Sequence, residues 1–203
     1  MRVLVVSDIH ANYEALEAVL KDAGAVDETW CLGDIVGYGP DPNLCVELIR
    51  ERPNLTCILG NHDMGMLGRM PMLAFNGDAR RSLDYQSKVI SADSMAFLRA
   101  QPEGVQVRGD VTMAHGSPRD PTWEYVLNTL AARLNFDHFD TPFCFVGHTH
   151  LQCLFQLDDE KNRITMDIPV PGEVAPMTPR TIYNPGSVGQ PRDRDPRSAY
   201  AIY

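Results

Sequence analysis

The strongest constraint on the fold is a strand, helix, strand, helix, strand pattern in the N-terminal part of the chain. Apolar runs at 2–7, 29–32 and 55–59 predict strands, and the amphipathic stretches between them predict helices. Parallel strands joined in this way form right-handed crossover units, in which ligands gather at the carboxyl ends of the strands. The pattern therefore predicts an α/β fold whose strand-end loops form a common edge.

The two helices of this unit have recognisable ends. The first is expected from about 13 to 23, with Asn12 as its N-cap and Gly24 as its stop. The second is expected to start with Asp41 as N-cap and Pro42 in the first turn, and to stop before Pro53. The predicted buried face of the second helix consists of Leu44, Cys45, Leu48 and Ile49.

The rest of the chain is expected to complete one domain over residues 1–203. Residues 64–103 favour helix and predict a helical cap within that domain. A helix near 123–134 that carries Trp123, Val126, Leu127 and Leu130 is expected between strands at 111–114 and 143–146. Alternation of period two then predicts a second, largely antiparallel sheet with strands at 151–157, 162–168, 180–184 and 198–202.

Composition excludes several classes of protein. A chain of 203 residues with 44% hydrophobic and 22% charged residues is typical of one globular domain. No apolar run approaches the ~20 residues of a membrane span, so no membrane association is expected. The net charge of −9 opposes binding to nucleic acid, which depends on Lys and Arg neutralising phosphates. The 5 cysteines, odd in number and widely spaced, predict reduced thiols and a cytoplasmic location.

Nearly all histidines of the chain fall in short polar motifs. Only His138 among the 6 histidines lies outside them. Because several of these motifs directly follow predicted strands, their side chains are expected to converge on one edge and form a metal site. Mixed nitrogen and oxygen ligands suit Mn, Fe, Co, Ni or Zn better than Ca or Mg. The candidate ligands are Asp8, His10, Asp34, Asn61, His115, His148 and His150.

A pair of such ions would give the site its chemistry. Two divalent ions roughly 3.5 to 4 Å apart can clamp phosphate oxygens and lower the pKa of a bridging water, so that hydroxide becomes the expected nucleophile. Charges of about +4 from the ions, −2 from Asp8 and Asp34 and −1 from hydroxide leave roughly +1. Such a site would attract phosphate despite the acidic chain.

Three further residues are candidates for catalysis or substrate contact. His62 follows Asn61 and is expected to act as a general acid whose imidazole is held by Asp63; the alternative is a buried histidine satisfied by Asp63. Arg119 could bind a phosphate oxygen or form a surface salt bridge. Tyr38 could stack a base at the rim or simply pack. Arg192 and Arg194 are expected to belong to a solvated charge run.

The ordered set D-x-H, GD, GNHD, H-G and GHTH resembles the calcineurin-like metallophosphoesterase family from Asp8 to His150, with Asn184–Ser187 as a further match. The resemblance implies a four-layer αββα sandwich with two mixed β-sheets and a dinuclear centre that hydrolyses phosphate esters. It also implies that Asp34 bridges the two ions. One ion would be held by Asp8, His10, Asp34 and His150, and the other by Asp34, Asn61, His115 and His148.

Two departures from the family pattern refine the expectation. Ala11 stands where glycine often follows the D-x-H motif, and the Arg and Glu typical of protein Ser/Thr phosphatases are missing after Gly33–Asp34 and after Asn61–His62. A dedicated protein phosphatase is therefore disfavoured, and the chain is more similar to the small bacterial phosphodiesterase-like members.

The expected function is hydrolysis of small phosphodiesters, nucleotides or phosphomonoesters with two divalent transition metal ions. Asn61, His62, Arg119 and Tyr38 are the expected substrate contacts. A small nuclease and a non-catalytic scaffold of the same fold remain alternatives, opposed respectively by the acidic charge and by the presence of His62. The sequence leaves the substrate, the native metals and the oligomeric state open.

Overall fold

The computed structural model describes residues 1–203 and contains ten strands and six α-helices. In chain order they are β1 (Val3–Val6), α1 (Tyr13–Ala23), β2 (Glu28–Cys31), α2 (Pro42–Arg50), β3 (Leu55–Cys57), α3 (Asn61–Met66), a 3₁₀ turn (Met72–Ala74), α4 (Gly77–Val89), α5 (Ala92–Ala100), β4 (Gln106–Arg108), β5 (Val111–Ala114), α6 (Thr129–Asn135), β6 (Phe143–Val146), β7 (Gln152–Asp158), β8 (Arg163–Asp167), β9 (Thr181–Pro185) and β10 (Ala201–Ile202).

The first sheet has the strand order β10-β1-β2-β3. Strands β1, β2 and β3 are parallel, so the loops that follow them open on one edge, as predicted. The assignment of 198–202 to the second sheet is wrong, because β10 pairs antiparallel with β1. Backbone bonds between Val3 and Tyr203, at 2.8 and 2.9 Å, satisfy an edge of β1 that would otherwise be left unpaired.

The second sheet has the order β4-β5-β6-β9-β7-β8 and is mixed. Strands β5, β6 and β9 run parallel in its centre, whereas β4, β7 and β8 pair antiparallel. The expected largely antiparallel sheet therefore describes the flanks but not the centre. Strand β4 was not predicted, because its three residues are too few to show alternation.

Three hydrophobic clusters define the interfaces of a four-layer αββα sandwich. Val5 and Trp30 of the first sheet meet Phe145 of the second between the sheets. Leu4 and Val6 point the other way, toward α1 and α2, because successive strand residues face opposite sides. The outer face of the second sheet packs against α6. The predicted fold class is confirmed.

The first two helices begin where their end signals predict, but one residue that was predicted to be buried is exposed. Asn12 caps α1 by accepting a hydrogen bond from the Ala15 amide at 3.2 Å. Pro42 occupies the first turn of α2, although the Asp41 side chain makes no cap bond. Leu44 is 44% exposed, so its predicted burial is wrong. The buried stripe of α2 instead includes Val46, one helical step from Pro42 and Ile49.

The helix predicted at 123–134 starts later than expected. Asn128 caps α6 with its side chain, which accepts bonds from the Leu130 and Ala131 amides at 3.0 and 2.9 Å. Residues 123–127 are therefore irregular. Val126 is buried, whereas Leu127 and Leu130 are exposed. This irregular segment becomes part of the site described below.

The segment 64–103 is helical, as predicted, and contains α4 and α5. Leu83 and Leu98 are buried in the same cluster as α1 and α2, so the segment extends the helical layer of the first sheet. None of the six helices combines the length and the apolar composition needed to cross a bilayer.

Candidate metal centre

The loops that follow β1, β2, β3, β5 and β6 meet at one edge of the sandwich, where all seven candidate ligands are buried. We call Asp8, His10 and His150 the first half-site, and Asp34, Asn61, His115 and His148 the second half-site. The backbone amide of His148 donates to Asp8 Oδ2 at 3.1 Å and so links the two half-sites.

The first half-site brings two imidazole nitrogens face to face. The Nε2 atoms of His10 and His150 are 3.2 Å apart, and His150 Nε2 lies 3.4 Å from Asp8 Oδ1. Each Nδ1 contacts a backbone carbonyl, of Val36 for His10 and of Gln190 for His150, and must donate its hydrogen there. Both Nε2 lone pairs therefore point at each other, an arrangement that requires a cation or a proton between them.

The second half-site is organised around His115. Its Nδ1 donates to the Leu32 carbonyl at 2.8 Å, which directs Nε2 inward. This Nε2 atom lies 3.1 Å from Asn61 Oδ1, 3.2 Å from His148 Nδ1 and 3.4 Å from Asp34 Oδ2. The same Asp34 oxygen is 3.7 Å from His10 Nε2. Asp34 is thus placed between the two half-sites.

Several polar atoms of the site are buried without a hydrogen-bond partner. They include Asp8 Oδ1, Asp34 Oδ2 and His148 Nε2. Leaving such an atom unsatisfied costs about 1–3 kcal/mol, more for a charged group. These carboxylate oxygens and imidazole nitrogens are the donor types that borderline divalent metals prefer. The residues present therefore fit the binding of divalent metal.

Burial and the Asp34 carboxylate shift the pKa values of the imidazoles in opposite directions. Burial lowers the pKa of His10 and of His150, and burial together with the His115 charge lowers the pKa of His148 to about 3. Burial also opposes a charge on His115, but Asp34 outweighs it and raises the pKa of His115 to about 10. The pKa of Asp34 is held well below its usual range because the neighbouring imidazoles outweigh its burial.

Five of the seven candidate ligands adopt a backbone conformation that side-chain-bearing residues rarely occupy. Such left-handed residues cost of order 1–3 kcal/mol each and persist only where the surroundings enforce them. Asp8 and His10 converge through a left-handed turn, while Ile9 between them is buried in the core. Positive φ angles occur at Asp8 (54°), His10 (51°), Asp34 (55°), His148 (65°) and His150 (61°).

His62 lies in the first turn of α3 and borders the first half-site. Its ring centroid is 4.8 Å from the His10 ring and 5.1 Å from the Phe75 ring. Gly37, with φ of 88°, makes room for this ring, since a Cβ there would collide with His62. His62 is also close enough to His10 and Asp34 to offer a ligand atom itself.

The expected contact between His62 and Asp63 is wrong. Asp63 Oδ2 accepts from the Asp34 amide at 2.7 Å and from the Gly60 amide at 3.0 Å, while Oδ1 accepts from the Val36 amide at 3.1 Å. The Gly60 amide belongs to the N-cap of α3, whereas the Asp34 and Val36 amides belong to the loop after β2, so Asp63 ties this loop to the start of the helix. Burial and the Asp34 charge raise the pKa of Asp63 to about 7. Asp63 fixes the backbone beneath the site, and His62 Nδ1 has no partner.

The two expected substrate contacts at the rim have different surroundings. Arg119 forms an ion pair with Glu124. Of the two alternatives expected for Arg119, a phosphate contact and a surface salt bridge, the structure contains the salt bridge. The Tyr38 ring lies edge-on to His10 at 4.8 Å, and its hydroxyl accepts a bond from Asn76 at 3.2 Å. Tyr38 therefore lies against the first half-site, with both its ring and its hydroxyl engaged.

Two residues near the centre were missed by sequence reasoning. Tyr125 stacks on the His148 ring with centroids 4.1 Å apart and planes at 9°. Arg192 donates its backbone amide to the His150 carbonyl at 3.3 Å, and its charge contributes to the lowered pKa of both His148 and His150. Arg192 is exposed, as expected of a charge run, but it lies beside the site. No local motif marks either residue, because both arrive through loops.

The family of the chain is shown by a match over its whole length. Residues 1–203 match the model of the calcineurin-like phosphoesterase superfamily domain, and the chain belongs to this superfamily. A metallophosphoesterase from Sphaerobacter thermophilus superposes with a TM-score of 0.89 and is 48% identical, covering 100% of this chain and 83% of that one. An uncharacterized protein of Methanocaldococcus jannaschii is 37% identical over 99% of this chain and 82% of its own.

More distant relatives include enzymes named symmetrical bis(5'-nucleosyl)-tetraphosphatase. That of Edwardsiella ictaluri is 30% identical over 66% of this chain and 49% of its own length. That of Baumannia cicadellinicola is 28% identical over 61% of this chain and 44% of its own length. The chain thus spans less than half of these tetraphosphatases.

Proposed function

We propose that this protein is a metal-dependent phosphoesterase that hydrolyses small phosphorylated substrates, among them phosphodiesters, nucleotides and phosphomonoesters. The observation that carries the proposal is the pair of His10 and His150 lone pairs facing each other at 3.2 Å beside the shared Asp34 carboxylate. Membership of a phosphoesterase superfamily supports the reaction type. The buried Asp, Asn and His donors support two divalent ions of the Mn, Fe, Ni, Co or Zn type.

Each half-site has a defined task in this proposal. Two bound divalent ions would supply a water-derived nucleophile near neutral pH and neutralise the negative charge of the phosphate. Asp8, His10 and His150 would hold one ion, and Asn61, His115 and His148 the other, with Asp34 shared. Backbone carbonyls keep His10, His115 and His150 in the tautomer that offers Nε2.

His62 is the proposed general acid. The ring is packed by Tyr38, Phe75 and the Cβ-free Gly37, so its position is fixed without a carboxylate partner. From there it would donate a proton to the departing alkoxide and contact the phosphate together with Asn61. Tyr38 would close this side of the site.

The chemistry around the site favours small substrates. The net charge of −9 opposes a nucleic-acid backbone, whereas Arg192 provides one exposed cation beside His150 of the first half-site. Relatives named as tetraphosphatases favour substrates of the nucleotide type. The 5 cysteines are all free and buried, which is why we propose a cytoplasmic location.

The test uses the purified chain, stripped with a chelator and reloaded separately with Mn, Ni, Fe or Zn. We expect about two ions per chain and hydrolysis of bis(p-nitrophenyl) phosphate or p-nitrophenyl phosphate only after reloading. Bound metal without turnover on either substrate would favour the scaffold alternative. A single-stranded oligonucleotide at low salt tests the nuclease alternative, and faster cleavage of it than of both esters would overturn the preference for small substrates.

A further inference from the structure

An aromatic ring stands over the second half-site. Tyr125 is parallel to His148, with ring centroids 4.1 Å apart, and Trp123 meets the same imidazole edge-on at 6.1 Å. Both aromatic residues belong to the irregular segment before α6. One face of Tyr125 is therefore covered by a proposed metal ligand.

Much of the Tyr125 side chain is exposed to solvent. Its exposed fraction is 43%, no second aromatic ring packs on it, and its hydroxyl makes no hydrogen bond within the chain. Nucleobases stack on exposed aromatic side chains through their π-faces. Tyr38 differs, because its ring contacts His10 and His62 and its hydroxyl is held by Asn76. Of the two tyrosines, Tyr125 is the one with an available face.

The loop that holds Tyr125 is fixed before any ligand arrives. The neighbouring Glu124 carboxylate accepts from Ser117 Oγ at 2.6 Å and from Asn135 Nδ2 at 2.9 Å, and it pairs with Arg119. The Trp123 amide donates to Asp120 Oδ1 at 3.1 Å. A ligand stacked on Tyr125 therefore need not order the loop, which lowers the entropic cost of binding.

We propose that Tyr125 is a stacking platform for the base of a nucleoside phosphate whose phosphate occupies the two half-sites. Aromatic pairs stack with centroids about 4.5–7 Å apart, so a base on the outer face lies about two ring spacings from His148. The ribose of a nucleoside 5'-phosphate can bridge that gap. The proposal rests on the proposed phosphoesterase function and narrows its substrates to base-bearing phosphates.

The experiment measures inhibition constants of adenosine 5'-monophosphate and ribose 5-phosphate against hydrolysis of p-nitrophenyl phosphate or its bis ester by the Mn-loaded protein. The two inhibitors share a phosphate and a ribose and differ only in the base. Stacking of one base on an aromatic side chain is worth about 5- to 150-fold in affinity, so the nucleotide should inhibit more tightly by that factor. Tyr125→Ala should reduce the ratio of the two constants to near one.

Two further variants separate stacking from structural effects. Tyr125→Phe keeps the ring and should keep the ratio, since the hydroxyl has no partner. Tyr85→Ala removes a tyrosine that is 49% exposed on α4 and should leave the ratio unchanged.

Each result bears on a different claim. A wild-type ratio near one overturns the platform while leaving the phosphoesterase proposal intact. If Tyr125→Ala weakens both inhibitors equally, the ring acts only by positioning His148, and the platform is again overturned. No hydrolysis by the wild type with any metal would refute the proposed function itself, and the platform with it.

Discussion

The two half-sites use the same kinds of side chain but hold them differently. In the first, His10 and His150 are both anchored through Nδ1 to backbone carbonyls. In the second, only His115 has such an anchor, whereas His148 turns Nδ1 toward His115 and is held on its ring face by Tyr125. The first half-site is thus defined by the backbone, and the second depends partly on a side chain that a loop supplies.

The largest effect is expected from a substitution that disrupts both half-sites at once. Asp34→Asn keeps the shape of the side chain and an acceptor for the His62 amide but removes the shared charge. We expect metal content to fall well below that of the wild type and turnover to reach background, because no other carboxylate lies between His10 and His115. Elemental analysis and ester hydrolysis measure this. Asp167→Asn, at an exposed position of β8, is the control and should change neither.

The next effect tests whether His62 acts on the proton or on the metal. His62→Gln should lower turnover by about 10²- to 10⁴-fold while leaving metal content unchanged, if the imidazole is a general acid. Both quantities are measured on the same preparation. A parallel loss of metal would instead make His62 a ligand of the first half-site, which its distance from His10 and Asp34 allows.

The third prediction uses two variants, one in each half-site, to test the half-sites separately. His150→Gln and His148→Gln should each remove about one ion per chain and cost at least about 100-fold in turnover, more than loss of a supporting residue does. Only His148→Gln removes the ring under Tyr125. It alone should also relax the ratio of nucleotide to ribose phosphate inhibition, measured on whatever activity remains. Equal ratios in the two variants would contradict the distinction drawn between the half-sites.

A smaller effect concerns the room around His62. Gly37→Ala introduces a Cβ against the imidazole and also strains a φ of 88°. We expect about a tenfold loss of turnover and destabilisation of about 1–3 kcal/mol, measured by ester hydrolysis and denaturant unfolding. Gly24→Ala, with φ of 66° and open space around it, is the matched control. It should show destabilisation without loss of turnover; similar losses in both would mean that strain alone is responsible.

The smallest effect concerns the exposed cation. Arg192→Ala should raise KM for a phosphate substrate about three- to tenfold, because an exposed cation that attracts the phosphate is lost. The effect is small because water and salt screen a single exposed charge. The rise should shrink as salt increases. Arg194→Ala removes the neighbouring exposed charge as a control. An identical change in both variants would show that net charge, not the position of Arg192 beside His150, is responsible.

The convergence of the candidate ligands was predictable because most of the motifs directly follow a predicted strand. Asp8, Asp34 and Asn61 could be assigned to one edge from the order of strands alone. The pairing of β10 with β1 was not predictable, because alternation of apolar and polar residues identifies a strand but not the strand with which it pairs. The contacts of Asp63 and the position of Tyr125 were missed for a related reason: both depend on which backbone groups and rings the loops bring within reach.

The left-handed turns at Asp8, His10, Asp34, His148 and His150 have a consequence for protein engineering. A designer who grafts these five side chains onto regular helices or strands would reproduce the composition of the centre but not the directions of its Cα–Cβ bonds. A transplant that works would have to carry whole loops, together with the hydrogen bonds that keep those loops in their costly shape.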